Sequence, residues 1–480
     1  MGEAQGENPW RRTLRSGMKG RDVALLQERL ARLGYYSGEI DGIFAILTKD
    51  AVRDLQKSHR LRVDGIAGRE VFAVLRSGLA RPQLRHVVAR GETLAHIARR
   101  HNIPMELLVQ CNQLSAPEVQ EGQCLDIPVA RLVAYCAGGE GAERSWGPYE
   151  RHLAVISEVA PRWFTLRADG TVMGEPAKRV AALASLADIL VLPVVADGAP
   201  AALPARPGAG QETGGDEQGD GERAHQAALE AVLIDARARR AAMRSITGAA
   251  ARSGAHGVIL SVSGPCPCPG SGPDDPYAFT SFVRELARAL WEDGRSLAVE
   301  LPLPGADDLD TGTCRFEYSE IAQVARQIIL RLYEEPGRLA VPGPPSSPAR
   351  ARAVLKAMVR VVPPWKLVAG APLFGVDFSA APGARPLRKT YSEVGDILDI
   401  YRPSVSRTEP GGSCMFRYRS FRVNHTVFFE DATSIASHVD LALKFKLAGL
   451  AVSDLGDEDP LMWDAFRTRF KALRGSVMPA

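Results

Sequence analysis

The stretch GAHGVILSVSG, Gly254 to Gly264, decides the fold of the larger part of this chain. Its apolar run from Val258 to Leu260 follows a helix-like segment and ends in Ser261, Ser263 and a loop rich in proline, cysteine and glycine. This pattern is typical of a buried parallel strand. In a (β/α)8 barrel the chemistry lies at the carboxyl ends of the strands, so the residues at 261 and 263 bear on whether the chain is an enzyme.

Strand-like runs alternate with helical segments throughout residues 131–480, which favours a closed (β/α)8 barrel over a doubly wound sheet. The eight runs are Leu132–Cys136, Trp163–Leu166, Ile189–Val195, Val258–Ser263, Ala298–Pro302, Gln327–Tyr333, Leu367–Phe374 and Gly449–Leu455. Residues 198–222 contain few bulky apolar groups, so we expect a disordered loop there. Residues 414–418 and 426–429 have separate strand patterns, between the seventh and eighth of these runs.

The opening stretch resembles the fourth strand of glycoside hydrolase family 18, whose signature is D-G-x-D/N-x-D-x-E. On that pattern Gly257 is retained, whereas His256, Ser261 and Ser263 occupy the positions of two aspartates and the catalytic glutamate. The segments KLVAGAPLFG, FFEDATSI and DLGDEDP add to the resemblance. The resemblance implies a barrel close to the spore cortex-lytic N-acetylglucosaminidases of that family. It also implies that residues 376–430 form the small α+β insertion that such barrels carry after the seventh strand.

Family 18 enzymes use a glutamic acid to protonate the glycosidic oxygen, while an aspartate orients the substrate's acetamido group. A serine hydroxyl at 263 is too weak an acid for the first task, and Ser261 cannot stabilise a positively charged intermediate. Tyr333 retains the tyrosine that binds the acetamido carbonyl in the family. Ser453 occupies the position of the family's tryptophan platform, so a stacking surface is also absent there. We therefore predict a barrel without catalytic residues.

Alternatives to that prediction use groups outside the signature. One is an active or atypical N-acetylglucosaminidase in which Glu300, Glu334 or the pair Asp274-Asp275 supplies the acid. Glu334 itself replaces the aspartate that follows the tyrosine in the family. A serine nucleophile activated by His256 is disfavoured, because the two side chains would be separated along the strand.

Residues 12–78 predict a small all-α bundle with two Asp-Gly turns, at Asp41-Gly42 and Asp64-Gly65. We expect helices from Asp22 to Leu33, with Gly34 as its C-terminal cap, and from Thr48 to Ser58. The run from residue 20 to 68 resembles the three-helix peptidoglycan-binding domain. That resemblance implies a glycan-facing turn formed by Asp41, Gly42, Phe44 and Thr48, with Ala45 in place of the usual glycine.

Residues 84–130 predict a βααβ unit that begins with a strand at His86 and a helix near Leu94. A second helix is expected from Pro104 to Gln110, followed by a strand at residues 125–127. The unit resembles a LysM domain, which binds N-acetylglucosamine chains between two loops. The residues that this assigns to glycan binding are Gly91, Glu92, Thr93, Leu94, Asn112, Gly122 and Gln123. We expect His96 and His101 to be surface residues of a helix rather than ligands.

Composition excludes several classes of function. With 59 Lys and Arg against 56 Asp and Glu the formal charge is +3, and no long basic run predicts a nucleic-acid partner. No apolar stretch is long enough for membrane insertion, and the N-terminus lacks the apolar region of a Sec signal peptide. The seven cysteines do not predict a disulfide scaffold, and Cys266-Pro267-Cys268 is only a weak metal signal. We expect neither a metal nor a cofactor.

Together these patterns predict a multidomain, glycan-binding protein of the cell wall or spore envelope, with a degenerate family 18-like barrel. Its expected partners are peptidoglycan or chitin-like N-acetylglucosamine glycans, and spore-coat proteins form a second expected class. Without Sec export, a spore that is assembled inside a mother cell offers a route from the cytoplasm to the glycan. The preferred glycan and the oligomeric state do not follow from the residues.

Overall fold

The computed structural model of this chain describes residues 12–32, 35–36, 40–58, 61–76, 84–101, 105–112, 114, 116–127, 129–137, 143–197, 228–264, 277–303, 316–339 and 341–472. Gly34, the predicted disordered loop at 198–222, Cys266, Cys268 and the pair Asp274-Asp275 lie outside these residues. The chain forms two compact units: the described residues up to Ile97 together with Leu108–Ile127 belong to the smaller one, and Ala98–Leu107 and residues 129–472 to the larger one.

The first part of the smaller unit is a three-helix bundle with helices α1 (Arg21–Arg32), α2 (Ile46–Ser58) and α3 (Arg69–Arg76). Helix α1 buries the apolar side chains that its spacing predicts, among them Val23, Leu26 and Leu30. Backbone bridges between Leu14 and Ala67 and between Lys19 and Ile43 fasten the segments between the helices. Gly42 and Gly65 have φ values of +69° and +72°, which the two turns require.

The expected βααβ unit follows along the chain, with strand β1 (Leu84–Val87), helices α4 (Leu94–His101) and α5 (Met105–Asn112), and strand β2 (Cys124–Ile127). The two strands pair antiparallel, with Leu84 opposite Ile127. His96 is exposed, whereas His101 is buried, so the expectation that His101 lies at the surface was wrong. It shares one face of α4 with Leu94 and Ile97, which are also buried.

The larger unit is an eight-stranded parallel barrel, surrounded by helices, whose last strand pairs with its first. The strands around it are β3 (Val129–Cys136), β4 (Glu158–Pro161), β7 (Leu190–Val191) continued by β8 (Val194–Ala196), β9 (Gly257–Ser261), β10 (Ser296–Leu301), β11 (Gln327–Arg331), β12 (Leu367–Ala371) and β18 (Gly449–Val452). A short strand, β19 (Lys471–Ala472), also pairs with β3.

The barrel helices are α6 (Glu143–Arg151), α7 (Lys178–Leu186), α8 (Ala236–Arg252), α9 (Ala278–Glu292), α10 (Tyr318–Val324), α11 (Pro348–Val361), α13 (Ala432–Lys444) and α14 (Met462–Arg469), and residues 228–234 are also helical. Apolar side chains from the strands, such as Ile259, Ala298 and Ile329, fill the barrel interior. A larger cluster packs the outer strand faces against the helices. Gly257 has no room for a side chain, because an added Cβ would lie 2.3 Å from the carbonyl oxygen of Ser296.

The second barrel strand is not the one that the sequence predicts. It is β4, whereas the predicted run overlaps β5 (Phe164–Leu166), which pairs with β8 and with the short strand β6 (Val172–Met173). Strand β4 begins at the wholly buried Glu158 and ends at Pro161, and both residue types argue against a central strand. Glu158 is tolerated because Arg326, Gln327 and Arg131 all contact its carboxylate.

An α+β insertion follows strand β12. It contains strands β13 (Gly375–Ser379), β14 (Leu387–Lys389), β15 (Ser406–Arg407), β16 (Cys414–Ser420) and β17 (Val423–Phe429), and helix α12 (Tyr391–Tyr401). The five strands form a separate sheet in the order β14-β13-β17-β16-β15, with antiparallel pairing. One face of this sheet packs on α12 through Phe416, Val427 and Phe429.

Candidate functional site

The carboxyl ends of the barrel strands meet in a polar mouth, and the residues of neighbouring strands at this level contact one another. Ser261 on β9 is buried and donates a hydrogen bond of 2.6 Å from its Oγ to Oε2 of Glu300 on β10. The other carboxylate oxygen of Glu300 lies 3.7 Å from Nε of Arg331 on β11. A glutamate from the next strand thus extends to the predicted signature position at Ser261.

A chain of alternating positive and negative side chains lies beside Ser261, Glu300 and Arg331. Asp454, which follows β18, accepts hydrogen bonds of 2.9 Å from Arg162 and from Arg388 of the insertion. Arg388 also contacts Asp457 at 2.8 Å and covers the ring of Phe374. Burial opposes ionisation of Asp454, yet the two guanidiniums lower its pKa to about 2. Asp454 is therefore a fixed negative charge at neutral pH and cannot serve as a general acid there.

Two tyrosines complete the mouth. Tyr333 is buried and packs edge-on against Phe374, with ring centroids 5.7 Å apart. Tyr135, at the end of β3, lies beneath the guanidinium of Arg162, and its buried hydroxyl has no hydrogen-bond partner among the described residues. Burial and the nearby Glu300 raise the pKa of both hydroxyls, so each remains a protonated donor. These groups can bind a sugar hydroxyl or an acetamido carbonyl.

Ser263 occupies the predicted position of the catalytic acid and contacts its surroundings through its backbone. Its N–H donates to Oδ2 of Asp197, at the end of β8, over 3.0 Å, and its carbonyl oxygen accepts from Arg338. Ser261, Ser263 and Tyr333 are thus all at the mouth, where the sequence predicts them.

The other candidates in the barrel lie elsewhere or differ in environment. His256 precedes β9, at the opposite end of the barrel, where its Nδ1 accepts from the N–H of Val191. Glu334 points to Arg350 of an outer helix, with 3.3 Å between the charged atoms. Ser453 is buried and accepts from the N–H of Leu373. Of the three carboxylate alternatives, Glu300 is in the mouth, Glu334 is not, and Asp274-Asp275 lies outside the described residues.

In the three-helix bundle, each Asp-Gly turn is held by a buried glutamine from the preceding helix. Nε2 of Gln27 donates to Asp41 Oδ1 at 2.8 Å and to the carbonyl oxygen of Ile43, and its Oε1 accepts from Gly42 N–H at 2.8 Å. Gln56 makes the same three contacts with Asp64, Gly65 and Ile66, at 2.7, 2.8 and 3.0 Å. The two turns are therefore held by the same set of three hydrogen bonds.

The predicted glycan-binding residues of this turn differ in accessibility. Asp41 is exposed, and its hydrogen bond from Gln27 lowers its pKa. Phe44 and Thr48 are wholly buried, so in this conformation they shape the turn without presenting a side chain to a ligand. Ile40, Ile46 and Leu47 are exposed apolar residues beside the turn, at 50%, 71% and 58% exposure.

In the βααβ unit the two predicted binding loops are bonded to each other. Val88 N–H donates to the carbonyl oxygen of Gln123, and Gly122 N–H donates to that of Val88, both over 2.9 Å. Gly91 and Gly122 are exposed with open space where a side chain would be. These loops leave an accessible backbone surface, which suits acetamido recognition.

The remaining predicted residues of this unit have internal contacts. Glu92 pairs with His86 over 2.7 Å, and Thr93 caps helix α4 by accepting from the N–H of His96. Asn112 makes paired hydrogen bonds with the backbone of Asp126, and Leu94 is buried. Their assignment to glycan binding stays a prediction.

Sequence reasoning missed Gln27, Arg162, Arg331, Arg388 and Asp454. Arg331 was detectable, because it lies two residues before Tyr333 on a predicted barrel strand and so shares its inward face. The arginine partners of Asp454 come from 292 and 66 residues away in sequence, and no local pattern indicates that contact.

Neither a metal site nor a membrane span is found within the described part of the chain. No three His, Cys, Asp or Glu residues there are grouped to hold a metal ion. No helix there combines the length and apolar character that crossing a membrane requires. Cys124, Cys136 and Cys414 are free thiols.

Comparisons with known proteins agree with this domain order. The peptidoglycan binding domain family matches residues 19–75, and the LysM domain family matches residues 86–128. The structure is similar to the spore cortex-lytic enzyme SleL of Bacillus megaterium, with a TM-score of 0.59 and 19% identity over 88% of this chain and 97% of that one. It is also similar to the GH18 chitinase of Cycas revoluta, with a TM-score of 0.53 and 19% identity over 70% and 99% of the two chains. The barrel has the fold of glycoside hydrolase family 18.

Among curated proteins, the chain is 25% identical to the uncharacterized glycosylase YvbX of Bacillus subtilis over 41% of its own length and 57% of that protein. It is 24% identical to the cortical fragment-lytic enzyme of the same organism, over 42% and 48% of the two lengths. The chain thus spans about half the length of the curated relatives it matches. A peptidoglycan-binding domain, a LysM domain and a family 18-type barrel follow one another in this chain.

Proposed function

We propose that this protein binds peptidoglycan and that its barrel recognises glycan without hydrolysing it. The observation that carries the proposal is the pair of serines at the end of β9, where family 18 enzymes are expected to have an aspartate and a catalytic glutamate. Ser263 has no acidic proton to donate at neutral pH. The two N-terminal domains supply the attachment to the polymer.

Three carboxylates at the mouth support this proposal, because each is engaged by other groups. Asp454 is held between two arginines, and Asp197 accepts from the backbone of Ser263. Glu300 is contacted on one oxygen by Ser261 and approached on the other by Arg331. An acid that protonates a leaving group needs a free, protonated oxygen directed at the substrate.

The second candidate function is an atypical N-acetylglucosaminidase in which Glu300 replaces the missing acid. The observation that favours it is the location of Glu300, a buried carboxylate within the mouth and next to the signature position. The names of relatives such as the cortical fragment-lytic enzyme also point to glycan cleavage.

Release of reducing ends from purified cortex peptidoglycan and chitin oligomers separates the two functions. We expect the wild-type protein to pellet with insoluble peptidoglycan and to release no more reducing ends than Glu300→Gln. An active family 18 chitinase is the positive control. Release by the wild type that is lost in Glu300→Gln would establish the second candidate.

We further propose that the protein acts in the spore envelope or cell wall. The wall-binding domains and the spore cortex-lytic relatives support this location. A fluorescent fusion expressed in a spore-forming host should collect on the forespore during sporulation. An even cytosolic signal in sporulating cells would contradict this, and pull-down from purified coats tests the expected spore-coat partners.

A further inference from the structure

An arginine-bearing face of the insertion continues outward from the barrel mouth. Met415 and Phe428 are opposite one another on β16 and β17, and they pack with Tyr333 and Phe374 of the mouth. Alternate residues of a strand share one face, so Arg417 and Arg419 lie on the same side as Met415. The face thus starts at the candidate sugar site and leads away from it.

The exposed part of this face is rich in positive charge. Arg417 and Arg419 are exposed and stand about 7 Å apart along the strand. The hairpin ends at Phe421, which is 100% exposed, and Arg422, both with positive φ. None of these three arginines has an ion pair with any residue that the structure describes. We call Arg417, Arg419, Phe421 and Arg422 the arginine face.

Two exposed acidic residues of the insertion lie on the opposite side of its sheet. Asp396 and Asp399 are exposed on α12, which packs on the other face through Val394, Phe416 and Val427. The arginine face and these two carboxylates are therefore on opposite sides of the sheet. This asymmetry selects an anionic ligand that approaches along the same side as the barrel mouth.

We infer that the arginine face binds the carboxylates of peptidoglycan stem peptides beside the glycan that the barrel recognises. This inference rests on the proposed function and names a feature of its ligand. Peptidoglycan differs from chitin in carrying acidic peptides at regular intervals along the same kind of sugar chain. Exposed arginines on one strand face can pair with such carboxylates, and guanidinium–carboxylate pairs give orientation as well as attraction. Phe421 adds an apolar contact for the peptide.

The test compares binding of full-length proteins to native peptidoglycan and to peptidoglycan whose carboxylates have been amidated with carbodiimide. The variant Arg417→Gln, Arg419→Gln, Arg422→Gln removes the charges of the face. The matched control is Arg240→Gln, Arg244→Gln, Arg252→Gln, which removes three exposed arginines from α8 on the outer wall of the barrel.

One exposed ion pair changes an equilibrium constant by up to about fivefold, so we expect the variant to bind native peptidoglycan roughly five- to twentyfold more weakly than wild type. The control should bind like wild type. On amidated peptidoglycan and on chitin the three proteins should bind alike, and raising the salt should reduce the wild-type advantage.

Equal binding of variant and wild type to native peptidoglycan would overturn the inference while leaving the proposed function intact. An equal loss on amidated polymer would also overturn it, because carboxylates would not be the ligand. Tighter wild-type binding to phosphatidylglycerol vesicles than to peptidoglycan would assign the face to a membrane instead. Failure of every protein, wild type included, to bind any glycan would contradict the proposed function itself.

Discussion

The hydroxyl of Ser261 donates a hydrogen bond of 2.6 Å to the carboxylate of Glu300, so side chains of two neighbouring strands are directly linked. This contact changes what a reintroduced signature would do. An aspartate at 261 would stand next to Glu300, and two carboxylates at hydrogen-bond distance share a proton rather than ionise independently. Ser261, which replaces an aspartate of the family signature, is thus hydrogen-bonded to Glu300, which is not part of that signature.

Restoring both acids tests whether the serines account for the proposed loss of hydrolysis. We expect Ser261→Asp with Ser263→Glu to give weak chitotriose turnover, since general acid catalysis contributes ~10²–10⁴ in rate even when imperfectly tuned. The neutral pair Ser261→Asn, Ser263→Gln is the control and should remain inactive. Wild-type turnover equal to that of the acidic variant would show that a carboxylate outside the signature already serves as the general acid.

A second residue-scale feature is the buried cluster of Ser346, Ser413, Glu430 and His438. Ser346 contacts both Glu430 and His438, at 2.9 and 3.2 Å, and Ser413 donates to Glu430 at 2.6 Å. Burial raises the pKa of Glu430 and lowers the pKa of His438 to about 4. The cluster joins the end of β17 to helix α13, and its histidine is neutral at pH 7.

This cluster predicts an acid-dependent loss of stability. The unfolded chain protonates His438 near pH 6.5 but the folded chain only near pH 4, so stability from the neutral histidine is complete above pH 6.5 and falls between these values. Relative to His438→Gln, the wild type should lose up to roughly 3 kcal/mol over that interval. Urea unfolding followed by tryptophan fluorescence checks this, because five of the six tryptophans lie beyond residue 140. Parallel pH profiles for the two proteins would contradict it.

At the scale of elements, the two Asp-Gly turns show how a weak repeat in sequence becomes an exact repeat in contacts. The two turns are visible in the sequence, yet no local pattern singles out Gln27 as the residue that holds the first one. Only the folded helices bring each glutamine over its turn. Repeated Asp-Gly pairs therefore predict the turns, whereas the buried polar groups that fix them follow from packing.

The repeat predicts equal effects of two distant substitutions. Gln27→Ala and Gln56→Ala each leave a buried turn N–H without its partner, which costs about 1–3 kcal/mol. We expect both variants to lower the unfolding temperature of the helical domain and to speed hydrogen exchange at Gly42 and Gly65 respectively. Glu28→Ala, which changes the half-buried neighbour of Gln27 on α1, serves as control. A marked effect of only one glutamine would contradict the equivalence of the turns.

The strands show where sequence patterns lose information. Seven of the eight predicted barrel runs overlap barrel strands, because buried parallel strands are apolar throughout. Strand β4 was not predicted, because its first residue, Glu158, carries a buried carboxylate whose partner is about 168 residues away in the sequence. The contacts of Arg162 and Arg388 with Asp454 cannot be predicted from the sequence for the same reason, since they join segments that only the closed barrel brings together.

For the whole molecule, the sequence motifs give the domain order, because each small domain carries its own local turn residues. What they leave open is how the domains share a ligand. The structure places exposed glycines on the LysM loops and an arginine face beside the barrel mouth, and each surface alone is small. Modest affinities that are linked on one chain can raise avidity by ~10²–10⁴ when both engage the same polymer.

Separating the domains tests that linkage. We expect residues 1–130 alone to pellet with insoluble peptidoglycan, since both family models match within them. The full chain should pellet at lower concentrations, because the barrel adds contacts to a polymer that is already bound. Excess soluble chitin oligomers should release the fragment more readily than the full chain. A fragment that stays in the supernatant while residues 131–480 pellet would assign glycan binding to the barrel alone. Equal affinities of fragment and full chain would show instead that the barrel does not engage the polymer, and the mouth of the barrel would then need a different ligand.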